Sequence, residues 1–109
     1  MHNAPMVKII VFAPESHADM VRQAAGDAGA GKIGKYSHCS FSSKGRGRFL
    51  PTTGASPTIG RVGKSEVVDE ERIEFVCKRV GMKKVLAAIR KVHPYEEVAI
   101  DIYTLMNVS

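Results

Sequence analysis

His93, Pro94, Tyr95, Glu96 and Glu97 stand in a row near the end of the chain. An imidazole, a phenol and two carboxylates this close together are the raw material of acid–base catalysis or of a metal site. A plainer reading competes. His93 follows Ile89 by four residues and Leu86 by seven, so it extends the apolar stripe of a helix. A histidine in a last helical turn interacts favourably with the helix dipole and can bond free carbonyls. Pro94 cannot continue the helix and pushes His93 out of helical geometry. The run therefore reads as a helix stop with a packed His and Tyr, leading into a strand. The alternatives are a metal or catalytic role for His93 with Glu96 or Glu97, or a contact with a ligand or partner. In the strand that follows, Glu97, Ala99, Asp101 and Tyr103 share the face opposite the core, where Glu97 and Asp101 could meet cations of a loop or a partner chain.

Two further sets of residues could do chemistry. His38 and Cys39 are adjacent, so on a strand they point to opposite faces and cannot share one ion. Cys39 reads as a core thiol beside Phe41, and His38 as a residue of the open sheet face with Tyr36. A divalent metal, if one is bound, would need ligands distant in sequence: His38, His93, Glu96 and Glu97. The other set is basic. Lys44, Arg46, Arg48, Arg61 and Lys64 lie in a Gly- and Pro-rich stretch, where backbone amides can approach a small anionic ligand or nucleotide. "GRGRF" is not a P-loop, because it lacks the lysine-ended pattern and opens no helix. The plainer reading here is a solvated basic loop that orders against a neighbouring subunit.

The elements must position these groups. "MVKIIVFAP" reads as a buried strand. "ESHADMVRQAAGDAGAG" reads as a helix over 16–28, with Ser16 as N-cap and Asp19 in the capping-box position. "KYSHCSFSS" alternates like a second strand. Residues of about 43–66 read as a long loop with a short hairpin around Arg46 to Leu50. "ERIEFVCKR" is a third strand, "MKKVLAAIRKVH" a helix over 82–92, and "EEVAIDIYTL" a last strand. The order β-α-β, loop, β-α-β predicts an α+β, ferredoxin-like fold: a four-stranded antiparallel sheet with both helices on one face. Val11, Phe41, Phe75, Leu86, Ile89 and Ile100 are the expected core.

Composition bounds the rest. With 109 residues, 44% hydrophobic and 25% charged, residues 1–109 read as one globular domain. No apolar run approaches the roughly 20 residues that span a bilayer. Met1 to Lys8 lacks the order of an export signal, so the cytoplasm is the expected compartment, with Cys39 and Cys77 as free thiols. The net charge of +5 is uneven: no acid lies between Asp27 and Glu66, while Asp69, Glu70, Glu71 and Glu74 cluster afterwards. The cations are spread through loop sequence with few aromatics, which does not indicate a specific nucleic-acid partner.

Two blocks point further. "GKYSHCSFSSKGRGRFLPTTGASPTIGRVGKSEVVDEERIE" followed by "HPYEEVAIDIY" resembles the YqfO-type domain. That is the PII/CutA-like module inserted in many bacterial NIF-three family proteins and also found free-standing. The resemblance runs from Val7 to Leu105 and implies a PII/CutA-type fold, whose members commonly assemble through the open sheet face. NIF-three proteins bind two metal ions through their other domains, and some carry a GTP cyclohydrolase label, an activity this stretch does not import. PII proteins bind adenine nucleotides near a long loop between their second and third strands, an analogy of fold alone.

The resulting expectation is a binding or regulatory module responsive to anions or nucleotides, with no required cofactor and no catalytic residues. The rival is a metal-binding or metal-dependent hydrolytic protein. Ile10 and Phe12 should point to the open face, which a homo-oligomer, dimer or trimer, would cover unless residues 44–64 fold back over it.

Overall fold

The structure, a computed structural model, describes residues 5–106. Strand β1 (Met6–Pro14) leads into helix α1 (Glu15–Asp27), then β2 (Phe41–Phe49), β3 (Glu66–Lys78), a single 3₁₀ turn (Arg79–Gly81), α2 (Met82–Val92) and β4 (Ile100–Leu105). The four strands form one sheet in the order β2-β3-β1-β4, and every neighbouring pair is antiparallel. This is the ferredoxin-like arrangement expected. Val7, Ile9, Val11 and Ala13 alternate onto one face of β1. There they pack with Ile73, Phe75 and Cys77 of β3, Ala18, Val21 and Ala25 of α1, and Val85 and Ile89 of α2. β1 is central, so it is buried on that side almost completely. Leu86 and Ile100, expected in the core, pack against its rim and are only partly buried.

The second strand departs from expectation. Residues 35–40 are not its start, because a tight turn joins Ile33 and Tyr36 by two backbone hydrogen bonds of 3.0 and 2.9 Å. Gly34 and His38 both take positive φ (58° and 60°), which no strand accommodates. Alternation therefore restarts at Phe41, and its side chain falls on the helix-free face, 69% exposed rather than in the core. Cys39 is half-buried, held by its N–H to the Gly31 carbonyl at 2.9 Å, and is not the core thiol expected. Gly31, at φ +80°, lies so close beneath that carbonyl region that any Cβ would collide with the Cys39 backbone.

The expected loop of about 43–66 is correspondingly shorter. Its first part, through Phe49, is strand paired to β3 from Phe41↔Glu74 to Phe49↔Glu66, and β3 itself begins at Glu66. Glycines 45 and 47 weaken a strand, but β2 is an edge whose register is supplied by β3. The start of α1 differs too, whereas α2 spans Met82–Val92 as expected. Pro14, not Ser16, is the N-cap of α1, and Asp19 pairs with Arg22 instead of closing a capping box. Arg22 also reaches Glu71 and the Ser42 hydroxyl, tying α1 to β3 and β2.

The helix-free face carries Ile10, 1% exposed beside its cross-strand neighbours Glu74 and Asp101, and Phe12, half-buried. Ile89 is fully buried whereas Val80 on the 3₁₀ turn is 90% exposed. Ile89→Ala should therefore cost about 2–5 kcal/mol in urea unfolding, and Val80→Ala less than about 0.5 kcal/mol. Equal costs would show that the core is misplaced.

Candidate functional site

The chain leaves α2 at His93, which is its C-cap and has extended backbone. The imidazole is buried and both ring nitrogens are engaged. Nε2–H donates to the Phe12 carbonyl at 2.8 Å, and Nδ1 accepts the Tyr95 N–H at 3.1 Å. These partners fix the tautomer. Burial pushes the His93 pKa below its ordinary value; the Phe12 carbonyl and the charge of Glu70 oppose this, and His17 reinforces it.

His93 in turn presents Tyr95, whose ring lies edge-on to the imidazole at 4.9 Å and tilted against Phe49 at 6.3 Å. The Tyr95 hydroxyl donates to Glu70 Oε2 at 3.1 Å. Burial first, then the charge and hydrogen bond of Glu70, raise the phenol to about 12, so it stays a donor at neutral pH. Glu70 is itself buried, and its carboxylate lies directly over Gly47 of β2, where any Cβ would collide with it.

Residues 50–65 fold over this arrangement. The Ser56 N–H donates to both Glu96 carboxylate oxygens (3.0 and 3.3 Å), and the Thr58 hydroxyl donates to the Pro94 carbonyl at 2.7 Å. Between the loop, the turn and the sheet lies a cavity of about 390 Å³. Its apolar wall comes from Phe12, Phe49, Leu50, Pro51, Pro57 and Ile59, and its polar lining residues are Arg48, Thr52, Thr58, Glu70, Tyr95, Glu96 and Glu97. That volume falls in the range of small-molecule sites, which are mostly apolar with a few convergent polar groups.

The predicted residues are dispersed around this centre. His93, Glu96 and Glu97 meet at the turn, but His38 does not join them. It packs over Gly26 at the C-terminal end of α1, with Nε2 2.9 Å from Asp27 Oδ1 and Nδ1 2.9 Å from the Ser37 hydroxyl. It is not on the open sheet face. α1 runs roughly 20 Å for its 13 residues from the Pro14 end of β1, and His93 sits at that opposite end. Among the described residues no group of three or more His, Cys, Asp or Glu is placed to hold a metal ion. The hydroxyl–imidazole–carboxylate order of Ser37, His38 and Asp27 is that of a nucleophile relay. It lies on exposed surface, and its evident effect is on Asp27, whose carboxyl is held below the usual range by the His38 and then the Gln23 hydrogen bonds.

The basic set divides as well. Lys44, Arg46 and Arg48 alternate onto the helix-bearing side of β2, away from Gly47 and Phe49. There Lys44 lies 3.8 Å from Glu15, and Arg46 stands opposite Asp69. Arg61 and Lys64 are exposed on the loop. Glu97 and Asp101 make no ion pair among the described residues, and the loop contact goes to Glu96. Glu70, Phe49, Ser56 and Thr58 escaped the sequence reading. Only Glu70 left a signal, its period-two spacing with Val68, Arg72 and Glu74 on one face of β3.

An antiparallel β2-β3-β1-β4 sheet with both helices on one side is the ferredoxin-like arrangement, and superposition places it with the PII/CutA-like folds. GlnK of Bacillus subtilis superposes with a TM-score of 0.62 at 16% identity, over 94% of this chain and 86% of its own. The periplasmic divalent cation tolerance protein CutA of Archaeoglobus fulgidus gives 0.68 at 14% identity, over 95% and 87%. Such identities establish fold alone. No protein-family model matches the chain. A Bacillus cereus protein related to NIF3 superposes with a TM-score of 0.85 at 48% identity, over 98% of this chain and 27% of that one. The B. subtilis GTP cyclohydrolase 1 type 2 homolog is 52% identical over 99 residues, 91% of this chain and 26% of the relative. Over nearly its whole length the chain is similar to a PII/CutA-like segment of these NIF3-related proteins, as the resemblance to the YqfO-type domain implied, and it spans about a quarter of the length of the relatives it matches.

The His93 pKa yields a stability test. Because the folded value is depressed, the unfolded chain binds the proton more readily. This group's contribution is complete above about pH 6.5 and is lost as pH falls towards the lower folded value. Urea midpoints should drop between about pH 7.5 and about pH 5, and His93→Gln should flatten that drop. An unchanged slope in the variant would contradict the burial argument.

Proposed function

We propose that this domain is a non-catalytic binding or regulatory module in which residues 50–65 close a ligand cavity against the His93–Glu97 turn. The cavity itself is the observation that supports the reading. Its roof is held to the turn by two side-chain contacts, Ser56 with Glu96 and Thr58 with Pro94, so occupancy of the cavity and the position of the loop are coupled. Arg61 and Lys64 on the loop, with Arg46 and Arg48 on the outside of β2, would make its outer surface responsive to small anions or nucleotides. We place this module in the cytoplasm; among the described residues no helix is long and apolar enough to cross a membrane.

A homo-oligomer, dimer or trimer, is part of the proposal. Phe41 and Tyr103 are more than half exposed on the helix-free face, and burying each is worth about 1.5–3 kcal/mol. The rival reading, a metal-dependent hydrolytic protein, is favoured by the name of the relatives. That name belongs to chains about three and a half times as long, and here His93 has both nitrogens committed to the protein.

ATP or tripolyphosphate should raise the melting temperature of the purified protein at low salt, with the gain shrinking as salt rises. Arg46→Ala with Arg48→Ala should weaken that binding about tenfold. An unchanged double mutant would remove the anion-responsive part of the reading. By light scattering the native protein should exceed monomer mass, and Phe41→Asp should return it to monomer. A monomeric native protein at high concentration would end the oligomer proposal.

A further inference from the structure

The charges around the cavity are segregated. Glu70, Glu96 and Glu97 line it together with Arg48, and strand alternation sends the Arg48 side chain towards the other face with Lys44 and Arg46. Glu70 is 9% exposed and makes no ion pair among the described residues. Its Oε2 accepts the Tyr95 hydroxyl, whereas Oε1 accepts no hydrogen bond there. Among the described residues no buried side-chain oxygen lacks a partner, so Oε1 is open to solvent and within reach of a cation that enters the cavity. Phe12, Phe49 and Tyr95 surround the same space, and aromatic faces attract cations. The carboxylates are not gathered closely enough to enclose a metal ion. They are spaced around an apolar floor.

Resting on the reading of this cavity as the ligand site, we propose that it binds a small organic cation: an ammonium group, primary or quaternary, on an apolar body. The ammonium group sits between Glu70 Oε1 and the aromatic rings, and the apolar body lies against Pro51, Pro57 and Ile59 beneath the loop. Glu96, whose carboxylate already holds the Ser56 amide, is the device by which a cation in the cavity reaches the loop. A ligand that draws charge from Glu96 weakens the loop anchor, so an organic cation and an anion on the outer arginines act on one moving part.

Calorimetric titration of the full chain with benzylamine, benzyltrimethylammonium, benzyl alcohol and benzoate, at one salt concentration and pH 7, tests this. Both cations should bind about tenfold or more tightly than the alcohol, with benzoate weakest. Glu70→Gln should erase most of that preference and leave benzyl alcohol within about twofold. If Glu70→Gln does not fold by circular dichroism, Phe49→Leu replaces it and should weaken benzyltrimethylammonium about threefold or more. Equal binding of cation and alcohol, or a preference that survives Glu70→Gln, overturns the cation assignment and leaves the cavity reading standing. Affinity for benzylamine that falls as protein concentration rises would show a second copy filling the cavity, and also overturns it. Binding of no probe defeats both.

Discussion

His93 carries its ring proton on Nε2, because one side of the ring faces the Phe12 carbonyl and the other accepts the Tyr95 amide. That single imidazole joins the end of α2 to the middle of the sheet and sets the direction of the chain as it leaves the helix. Tyr95 is consequently held where its hydroxyl reaches Glu70, and the carbonyl of Pro94 and the carboxylate of Glu96 face the loop. A histidine with a free nitrogen would be a reactive group. This one is a bracket, and its neutrality is what allows it to sit in the interior.

Charge sorts by depth and by face. On the helix-bearing side, Arg22 draws α1, Ser42 and Glu71 together, and Lys44 leans towards Glu15. On the other side, Lys8, Arg72 and Glu74 form ion pairs of 3.4 Å around Ile10. The cavity brings three carboxylates that make no ion pair among the described residues, Glu70, Glu96 and Glu97, beside the three aromatic rings of Phe12, Phe49 and Tyr95. The contrast gives the cavity a chemical character that the surrounding surface lacks.

Much of the fold was legible in the sequence. Val7, Ile9 and Val11, and the spacing from Met82 to Val92, carry strong periods, so β1 and α2 emerge with their correct faces. The resemblance of the two quoted blocks pointed to the right family of folds. β2 was obscured because its interior is Lys, Gly and Arg. It is a strand by virtue of β3, a nonlocal cause that propensity does not contain. Phe41 was assigned to the wrong face because the left-handed residues Gly34 and His38 interrupt an alternation that looks continuous on paper. At the site, His93 was readable as a packed helix terminus. The clasp of the loop was not, since one of its donors is the backbone amide of Ser56 and carries no side-chain signature.

β3 continues for four residues past the last rung it shares with β1, from Asp69 back to Glu66, and over that length its partner is β2 alone. The molecule is accordingly 54 Å long against 22 and 21 Å in its other dimensions. A two-stranded ribbon without a third strand or a helix beneath it opens at lower free energy than the packed layers it grows from. Gly47 and Phe49, one wall of the cavity, belong to this ribbon, while Phe12 belongs to the packed layers and Tyr95 to the turn that His93 fixes to them. Amide hydrogen exchange is accordingly expected to be fast on one wall of the cavity and slow on the other. A ligand that bridges its two walls would be felt first as kinetic protection of the ribbon, before any atom of the core had moved.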